Sequence, residues 1–397
     1  MWRQCSDSVA VLALERAAKA SALRTERCLT SANKDFWRSQ KAICDILLRD
    51  HCLADGFDAL LDGSETVFPF ANCCYDFVTR CVRPITPDDH VSLTSCWNYE
   101  PGQDQTFISR FMEQLFPVEE ERRLVSTYIG YILCPRKPYK CAMFFTDVIK
   151  GNNGKSKLLH LIKMLLGQGE GKEGRTLFAE EKKLFLKDSH TSKNGHDAGL
   201  EALKGMHLLC GDEFTKNDKL DAAFFKEACG GDPGTPRGRH FGRNTHFSFR
   251  IKFAMLCVFN QGCMPNLNCD EVLYKRIHMA QFRTKFLSRA PGETDEELTE
   301  RAREYAHWHE ADKDVSIKLR AHLPSAFDYF VAHFEATPHL LEHPPESCVA
   351  FHNQVMGNDN PLTEWYEANF ESTGDPDDSV QLCQVEISTS APIATAK

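Results

Sequence analysis

The stretch CAMFFTDVIKGNNGKSKLLHLIKMLL, residues 141–166, decides the fold of this 397-residue chain. It opens with a continuous apolar run over residues 141–146, which is typical of a strand that is buried on both faces. A loop rich in Gly and Asn follows, and from residue 157 to 166 apolar residues recur at helical spacing. This order of strand, glycine loop and helix predicts a βα unit.

The loop inside this unit has the composition of a phosphate-binding loop. Its residues are Gly151, Asn152, Asn153, Gly154, Lys155 and Ser156. Backbone N–H groups of such a loop bind nucleotide phosphates, and glycines let the main chain approach them closely. We expect Lys155 to contact the β- and γ-phosphates and the Ser156 hydroxyl to bind Mg²⁺. The strict motif has glycine where this chain has Ile149, so Gly151 is expected to make the turn. The alternative is a surface Gly-Asn turn that happens to precede Lys-Ser.

Two further apolar runs, residues 206–210 and 253–259, also end in polar side chains. Fully apolar strands separated by helical stretches indicate an α/β fold with a parallel sheet. Asp212 and Glu213 follow the first run, where Asp212 suits a water-mediated contact with Mg²⁺ and Glu213 suits polarisation of an attacking water. Asn260 follows the second run and could reach a γ-phosphate. Taken alone, the acids would more often be loop caps or salt-bridge partners, and Asn260 a turn former.

A basic segment lies between and beyond the last two runs. Residues 226–289 contain 11 basic and 4 acidic residues, a net charge of +7 in a chain of net charge −9, so the rest carries −16. A Gly- and Pro-rich stretch begins at Gly230 and predicts a turn or hairpin. The basic side chains at or near its tip are Arg237, Arg239, His240 and Arg243. Such a hairpin can grip a phosphate backbone, although an ordinary solvated basic loop has the same composition.

Arg276 follows this segment's last acids, Asp270 and Glu271. An arginine here could act as a finger that reaches the γ-phosphate bound by a neighbouring subunit. A salt bridge to the two acids is an equally good interpretation of the same spacing.

The composition excludes several classes of protein. Apolar residues make up 42% and charged residues 26% of the chain, which argues against a wholly disordered protein. The longest apolar runs are far too short to cross a membrane, and the N-terminus lacks the apolar core of a signal peptide. The 17 cysteines include no C-x-x-C pair, so we expect free thiols in a reducing compartment. An intracellular, soluble protein is therefore expected.

The order and spacing of these motifs resemble those of superfamily 3 helicases, in particular the poxvirus- and phage-type primase–helicases of large DNA viruses and mobile elements. The resemblance runs from about residue 57 to residue 370. GNNGKS (151–156) is similar to the family's Walker A loop, LLCGDEF (208–214) to its Walker B strand and FAMLCVFNQGCMPNL (253–267) to its sensor-1 strand. LDAAFFKEACGGDPGTPRGRHF (220–241) resembles the hairpin region, and residues 68–101 resemble a small pre-helicase domain.

The resemblance implies an AAA+-like P-loop motor that assembles as a ring, a homo-hexamer. ATP and Mg²⁺ would lie between subunits, with Arg276 supplied by the neighbour, and the hairpin would draw single-stranded DNA through the channel. Lys275 stands where the family commonly has a first arginine, so the finger role is carried over to Arg276 alone. The primase module of the family is missing from the sequence, so a separate primase and other replication proteins are expected partners. If the chain is viral, its expected location is the host cytoplasm or nucleus.

Four regions are expected along the chain. They are an N-terminal pre-helicase domain that is helical and then has small strands and turns (1–135), the P-loop motor (136–290), a C-terminal helical segment (291–373) and a disordered tail (374–397).

The leading hypothesis is an ATP-dependent DNA helicase of viral or mobile-element replication. The alternative is a nucleotide-dependent DNA-binding or assembly factor with a weakened phosphate loop that does not unwind DNA. A small-molecule kinase with a P-loop is disfavoured by the basic segment and by the lack of a recognisable lid.

Overall fold

The computed structural model describes residues 60–169, 176–187, 198–229, 237–239, 246–267 and 271–358. Most of the predicted N-terminal helical stretch and the whole of the predicted tail, 374–397, lie outside these residues. No helix within the described ranges is long and apolar enough to cross a membrane.

The described strands and helices are named here in chain order. The strands are β1 (Val67–Pro69), β2 (Cys74–Asp76), β3 (Cys81–Arg83), β4 (Ala142–Asp147), β5 (Phe178–Glu180), β6 (Leu208–Gly211), β7 (Arg237–Arg239), β8 (His246–Ser248), β9 (Ala254–Phe259), β10 (Ile277–Phe282), β11 (Lys285–Leu287) and β12 (Trp308–Glu310). The helices are α1 (Thr106–Leu115), α2 (Glu119–Leu133), α3 (Lys155–Leu165), α4 (Ala198–Glu201), α5 (Ala222–Ala228), α6 (Glu271–Tyr274), α7 (Asp295–Ala302), α8 (Val315–Ala321), α9 (Leu323–Ala336) and α10 (Glu346–Asn358).

A five-stranded sheet forms the centre of the fold. Its strand order is β10-β4-β9-β6-β5, and every neighbouring pair is parallel. All residues of β4, β9 and β10 are buried, as expected for strands that are covered on both faces. This sheet confirms the predicted α/β fold class. The three strands predicted from apolar runs are β4, β6 and β9, each shifted by no more than two residues.

The sheet order decides which strand ends are neighbours. β9 lies between β4 and β6, so the residues after these three strands follow one another along the carboxyl edge of the sheet. Neighbouring strands are about 4.8 Å apart, so the end of β6 lies about 10 Å from the end of β4. The strand order therefore places the phosphate loop, Asn260 and the acids after β6 at one edge.

Helices α2 and α9 pack against each other at very close range. Gly130 of α2 makes this possible, because a Cβ atom there would overlap the backbone carbonyl of Phe330 in α9. Tyr128 of α2 is fully buried and donates its hydroxyl to the Met255 carbonyl at 2.6 Å. This bond joins the helix pair to β9 of the sheet.

The segment ahead of α1 forms a small antiparallel sheet, β1-β2-β3, with an aromatic cluster beside it. Phe70 stacks on Tyr99, with ring centroids 4.5 Å apart, and both rings also contact Phe327 of α9. Trp97 donates its indole N–H to the Leu165 carbonyl at the end of α3 at 3.0 Å. The small strands and turns predicted for this region are present. The predicted domain boundaries themselves stay predictions.

Candidate functional site

The phosphate loop, residues 151–156, connects β4 to α3 and turns at Gly151. Gly151 has φ = +66°, whereas Ile149 is not among the residues with positive φ. The Ile149 carbonyl accepts a hydrogen bond from the side-chain amide of Asn153 at 2.9 Å, and the Asn153 side-chain oxygen accepts from the Lys155 backbone N–H at 3.2 Å. Because Asn153 closes the turn from inside the loop, position 149 needs no glycine. Gly151 thus occupies the conformation expected of it.

Gly154 is required for two reasons. Its φ is +81°, in the left-handed region that L side chains rarely adopt. A Cβ atom at this position would also overlap the Leu115 side chain of α1 and approach Phe286 Cε2 to 3.1 Å. The loop therefore lies directly against α1 on one side and β11 on the other.

Lys155 begins α3 and its side chain points to the carboxyl end of β9. Its amine donates to the Phe259 carbonyl at 2.6 Å and to the Asn260 side-chain oxygen at 2.9 Å, and lies 3.8 Å from the Asp147 carboxylate. The side chain is only 9% exposed. Burial lowers the pKa of the Lys155 amine, and the charges of Asp147 and Asp212 act in the opposite direction. The loop lysine and Asn260 are thus in direct contact, as a shared phosphate site requires.

Asp147 is a site residue that the sequence analysis missed. It is the last residue of β4 and 5% exposed, and it accepts a short hydrogen bond from the Gln261 backbone N–H as well as facing Lys155. Its contacts join the ends of β4 and β9. A single acid directly after an apolar run was the available signal, but such acids are common at strand ends.

The acids after β6 form a strained turn. Glu213 is exposed and has φ = +57°, an uncommon conformation for a residue other than glycine. Its backbone N–H donates to the Asp212 carboxylate at 2.7 Å, and its carbonyl accepts from the Lys182 amine at 2.9 Å. Lys182 also pairs with Asp218 at 2.7 Å. Strained backbone of this kind concentrates at functional sites. Lys182, which the sequence analysis also missed, holds the turn through these two contacts.

Two predicted ligands could hold a metal ion at this edge. Ser156 is exposed in the first turn of α3, and Asp212 is half-buried. The described residues contain no group of three or more His, Cys, Asp or Glu side chains that could hold a metal by themselves. Mg²⁺ is commonly bound by one or two protein ligands together with phosphate oxygens of a substrate. The donor set therefore fits a cation that arrives with a nucleotide.

Arg276 lies at the other end of the strands, where β4 and β10 begin. It directly precedes β10, and its carbonyl accepts from the Ala142 backbone N–H at the start of β4. The guanidinium is half-buried and donates to the Lys226 carbonyl at 2.7 Å. β4 spans six residues, about 20 Å, and the phosphate loop follows its other end. Arg276 cannot reach the loop of its own chain. Asp270, one acid of the alternative salt bridge, lies outside the described residues.

The predicted basic hairpin is present. β7 pairs with β8 in an antiparallel ladder that places Arg237 opposite Ser248 and Arg239 opposite His246. His240 and Arg243 belong to the connection between these strands, which lies outside the described residues.

A cavity of about 640 Å³ adjoins the phosphate loop. Its wall includes Asn152, Gly154 and Ser156, together with one face of α1 and parts of β11 and α8. Asp147, Lys155, Asp212 and Asn260 do not line it. The loop therefore separates this cavity from the polar strand ends described above.

Comparisons with known proteins show one distant viral relationship. No protein-family model matches the chain. A protein of Acanthamoeba polyphaga mimivirus named "Putative helicase L207/L206" is 26% identical over 234 residues, which cover 57% of this chain and 23% of that protein. The chain thus corresponds to less than a quarter of the length of this relative.

Solved structures of the NrS-1 C-terminal region are also similar to the chain. The A-form apo structure of that region matches with a TM-score of 0.35 and 14% identity, and another apo structure (305-718) with 0.34 and 12%. In both, the match covers 70% of this chain and 62% of the solved one. The comparisons therefore establish a distant relationship to a viral protein with a helicase name, over part of each chain.

Proposed function

We propose that this chain is an ATP-dependent DNA helicase of the superfamily 3 type, acting in viral or mobile-element replication. The observation that carries the proposal is the contact of Lys155 with Asn260 and Asp147 at the carboxyl edge of the sheet. The acids after β6 lie at the same edge. The distant relationship to the mimiviral protein supports a nucleic-acid motor rather than another nucleotide-hydrolysing enzyme.

In the proposed reaction, each residue at the edge has a separate part. Backbone N–H groups of residues 151–156 and the N-terminus of α3 bind the phosphates, and Lys155 turns from its carbonyl acceptor to the β- and γ-phosphates. Ser156, and Asp212 through water, would hold a Mg²⁺ ion, which would neutralise charge on the phosphate oxygens. Glu213 polarises the attacking water and Asn260 orients the γ-phosphate. Positioning and charge neutralisation account for the chemistry, so no covalent intermediate is needed.

The proposal includes a ring of subunits. Arg276 lies about one strand length from its own phosphate loop, so its use as a finger requires a neighbouring chain. A homo-hexameric ring would bring each Arg276 to the next subunit's ATP and place the hairpins, with Arg237, Arg239, His240 and Arg243, around single-stranded DNA. A separate primase and other replication proteins complete the proposed set of partners.

The test is a DNA-stimulated ATPase assay on the full chain. Wild type is expected to hydrolyse ATP faster when single-stranded DNA is present, and Lys155→Ala and Glu213→Gln are expected to lose this activity. Lys140→Ala is the matched control, because Lys140 is exposed and precedes β4 at the end opposite the loop, and it should behave as wild type. A wild-type chain that neither hydrolyses ATP nor responds to DNA would overturn the motor proposal. Binding of ATP and DNA without stimulated hydrolysis would favour the non-unwinding assembly factor.

A further inference from the structure

The cavity beside the phosphate loop has one apolar wall built by α1. Phe107, Phe111 and Leu115 recur at every fourth position, so they lie on one face of the helix, and all three line the cavity. Leu115 is the residue that contacts Gly154 of the loop. Leu115 lies eight positions after Phe107, a rise of about 12 Å along the helix. The apolar wall therefore runs from the loop outward for roughly the length of a nucleoside.

The facing wall is fixed to the loop by hydrogen bonds. Phe286 of β11 lines the cavity, and its backbone N–H donates to the Asn152 carbonyl at 2.7 Å. The neighbouring Lys285 amine donates to the carbonyls of Lys150 at 3.1 Å and Gly151 at 3.2 Å. The Phe286 ring thus has a set position relative to the phosphate loop, and a preformed wall reduces the entropy cost of binding a ligand.

The uncompensated charge of the cavity wall is positive. Two carboxylates line it, but Glu310 is paired with Arg289 at 2.9 Å and Asp312 with Lys318 at 2.6 Å. Arg110 and Lys157 also line it; among the residues that the structure describes neither pairs with a carboxylate, and the Lys157 amine donates to the Ser316 hydroxyl at 2.9 Å. Aromatic rings, an apolar wall and two cations that face no carboxylate within the described residues, all next to a phosphate loop, match the chemistry of a flat base attached to an anionic chain.

We propose that this cavity binds the base and ribose of a nucleoside triphosphate, with the base against the rings of Phe107 and Phe286. The inference rests on the proposed function, because it takes the 151–156 loop as the site of the phosphates. It adds the direction of the bound nucleotide: the triphosphate extends past Ser156 toward Lys155 and Asp212, and the nucleoside lies on the α1 side of the loop. Phe107 and Phe286 would then determine affinity without touching the reacting phosphate.

The experiment compares two ligands on the same variants of the full chain. Isothermal titration calorimetry with ATP and with inorganic tripolyphosphate, both with Mg²⁺, separates the nucleoside from the phosphates. Phe107→Ala and Phe286→Ala are expected to weaken ATP binding about tenfold, the size of a lost base–aromatic contact, and to leave tripolyphosphate binding unchanged. Ile317→Ala is the control, since Ile317 lies on α8, is 71% exposed and does not line the cavity.

The outcomes distinguish the cavity from the phosphate site. Wild type that binds ATP no more tightly than tripolyphosphate, or ring variants that bind ATP as wild type does, would overturn the cavity assignment while the phosphate site stands. Wild type that binds neither ligand would overturn the proposed function and the cavity with it. Phe107→Leu keeps apolar volume and removes the ring, so its affinities for ATP and tripolyphosphate test the same contact if an alanine variant fails to fold.

Discussion

Gly151 and Gly154 have similar backbone conformations and very different surroundings. Both have φ well above zero, but a Cβ atom at Gly151 would meet nothing within 4 Å, whereas one at Gly154 would overlap Leu115. We expect Gly151→Ala to lower the free energy of unfolding by about 1 kcal/mol, the cost of a left-handed L residue. Gly154→Ala should cost about 2–4 kcal/mol, because overpacking adds to the same backbone strain.

Urea denaturation of the two variants measures this difference. Gly151→Asn serves as the control, since asparagine tolerates the left-handed region and Asn152 already adopts it beside this position. Equal losses of stability in the two alanine variants would show that the backbone conformation alone decides the cost and that the contact with Leu115 does not.

At the scale of residues, the sequence predicted those parts of the site that belong to one local pattern. Lys155 was identifiable because the glycine loop and the helix stand next to it. Asp147 was not, because its partners come from elsewhere: Lys155 lies eight residues on, and Gln261 lies 114 residues away. A carboxylate whose role depends on a distant backbone N–H leaves only the weak local signal of an acid directly after an apolar run.

Among the strands, β10 shows what an apolar pattern cannot predict. His278 and Gln281 interrupt its sequence, yet both are buried. The His278 ring bonds the Leu341 carbonyl at 3.0 Å, 63 residues further on, and Gln281 accepts from Arg283 at 2.7 Å. β9 and residues 142–145 of β4 were predicted because their side chains are apolar or thiol and need no such partners; the polar residues of β4 come only at its end. A buried strand whose polar side chains find their partners outside the strand resembles a loop in the sequence.

The close contact between α2 and α9 depends on glycine at position 130, which has no side chain. Gly130→Ala would drive a methyl group into the Phe330 carbonyl, and the helices would have to separate. We expect a loss of at least about 2 kcal/mol in the free energy of unfolding, although alanine is the better helix former. Gly169→Ala is the control, because a Cβ atom at that position would meet nothing within 4 Å and its φ is not positive. A Gly130→Ala variant as stable as wild type in urea would contradict the close packing.

Two buried lysines are expected to make stability depend on pH. Lys137 donates to the last carbonyls of α2, and burial lowers its pKa to about 7; burial lowers the pKa of Lys252 to about 8. Above these values the unfolded chain, with ordinary lysines, binds more protons than the folded chain. Stability should therefore rise with pH, by up to about 1.4 kcal/mol per pH unit for each lysine.

The useful window runs from about pH 7 to about pH 8.5. Above it, buried thiols such as Cys141, whose pKa is raised by burial, ionise first in the unfolded chain and act in the opposite direction. Urea denaturation of wild type and Lys137→Met across the window measures the slope. The variant should have the smaller slope whatever its stability at pH 7, and identical slopes would show that Lys137 is not a source of the pH dependence.

For the whole molecule, net charge says little about the partner. The chain carries −9 overall, but residues 226–289 carry +7. If β7 contacts a phosphate backbone, removing two of its charges with Arg237→Ala and Arg239→Ala should weaken single-stranded DNA binding and reduce its salt slope by about 1.4. Arg289→Ala is the matched control, since that guanidinium belongs to the same segment but is paired with Glu310. Fluorescence anisotropy at several salt concentrations checks this, and an unchanged slope in the double variant would remove the hairpin from the DNA site.

The position of Arg276 makes assembly part of the proposed catalysis. Its guanidinium lies where the strands of the sheet begin, and the phosphate loop lies where β4 ends. A single chain therefore cannot bring both groups to one bound nucleotide. Mixing Arg276→Ala with Lys155→Ala subunits should restore part of the ATPase activity, because some interfaces then combine an intact loop with an intact arginine. Mixing Lys155→Ala with Glu213→Gln should restore none, since both defects lie on the same side of every interface. Recovery in the first mixture alone would establish a shared site, and its absence would mean that Arg276 is held by Lys226 for structural reasons.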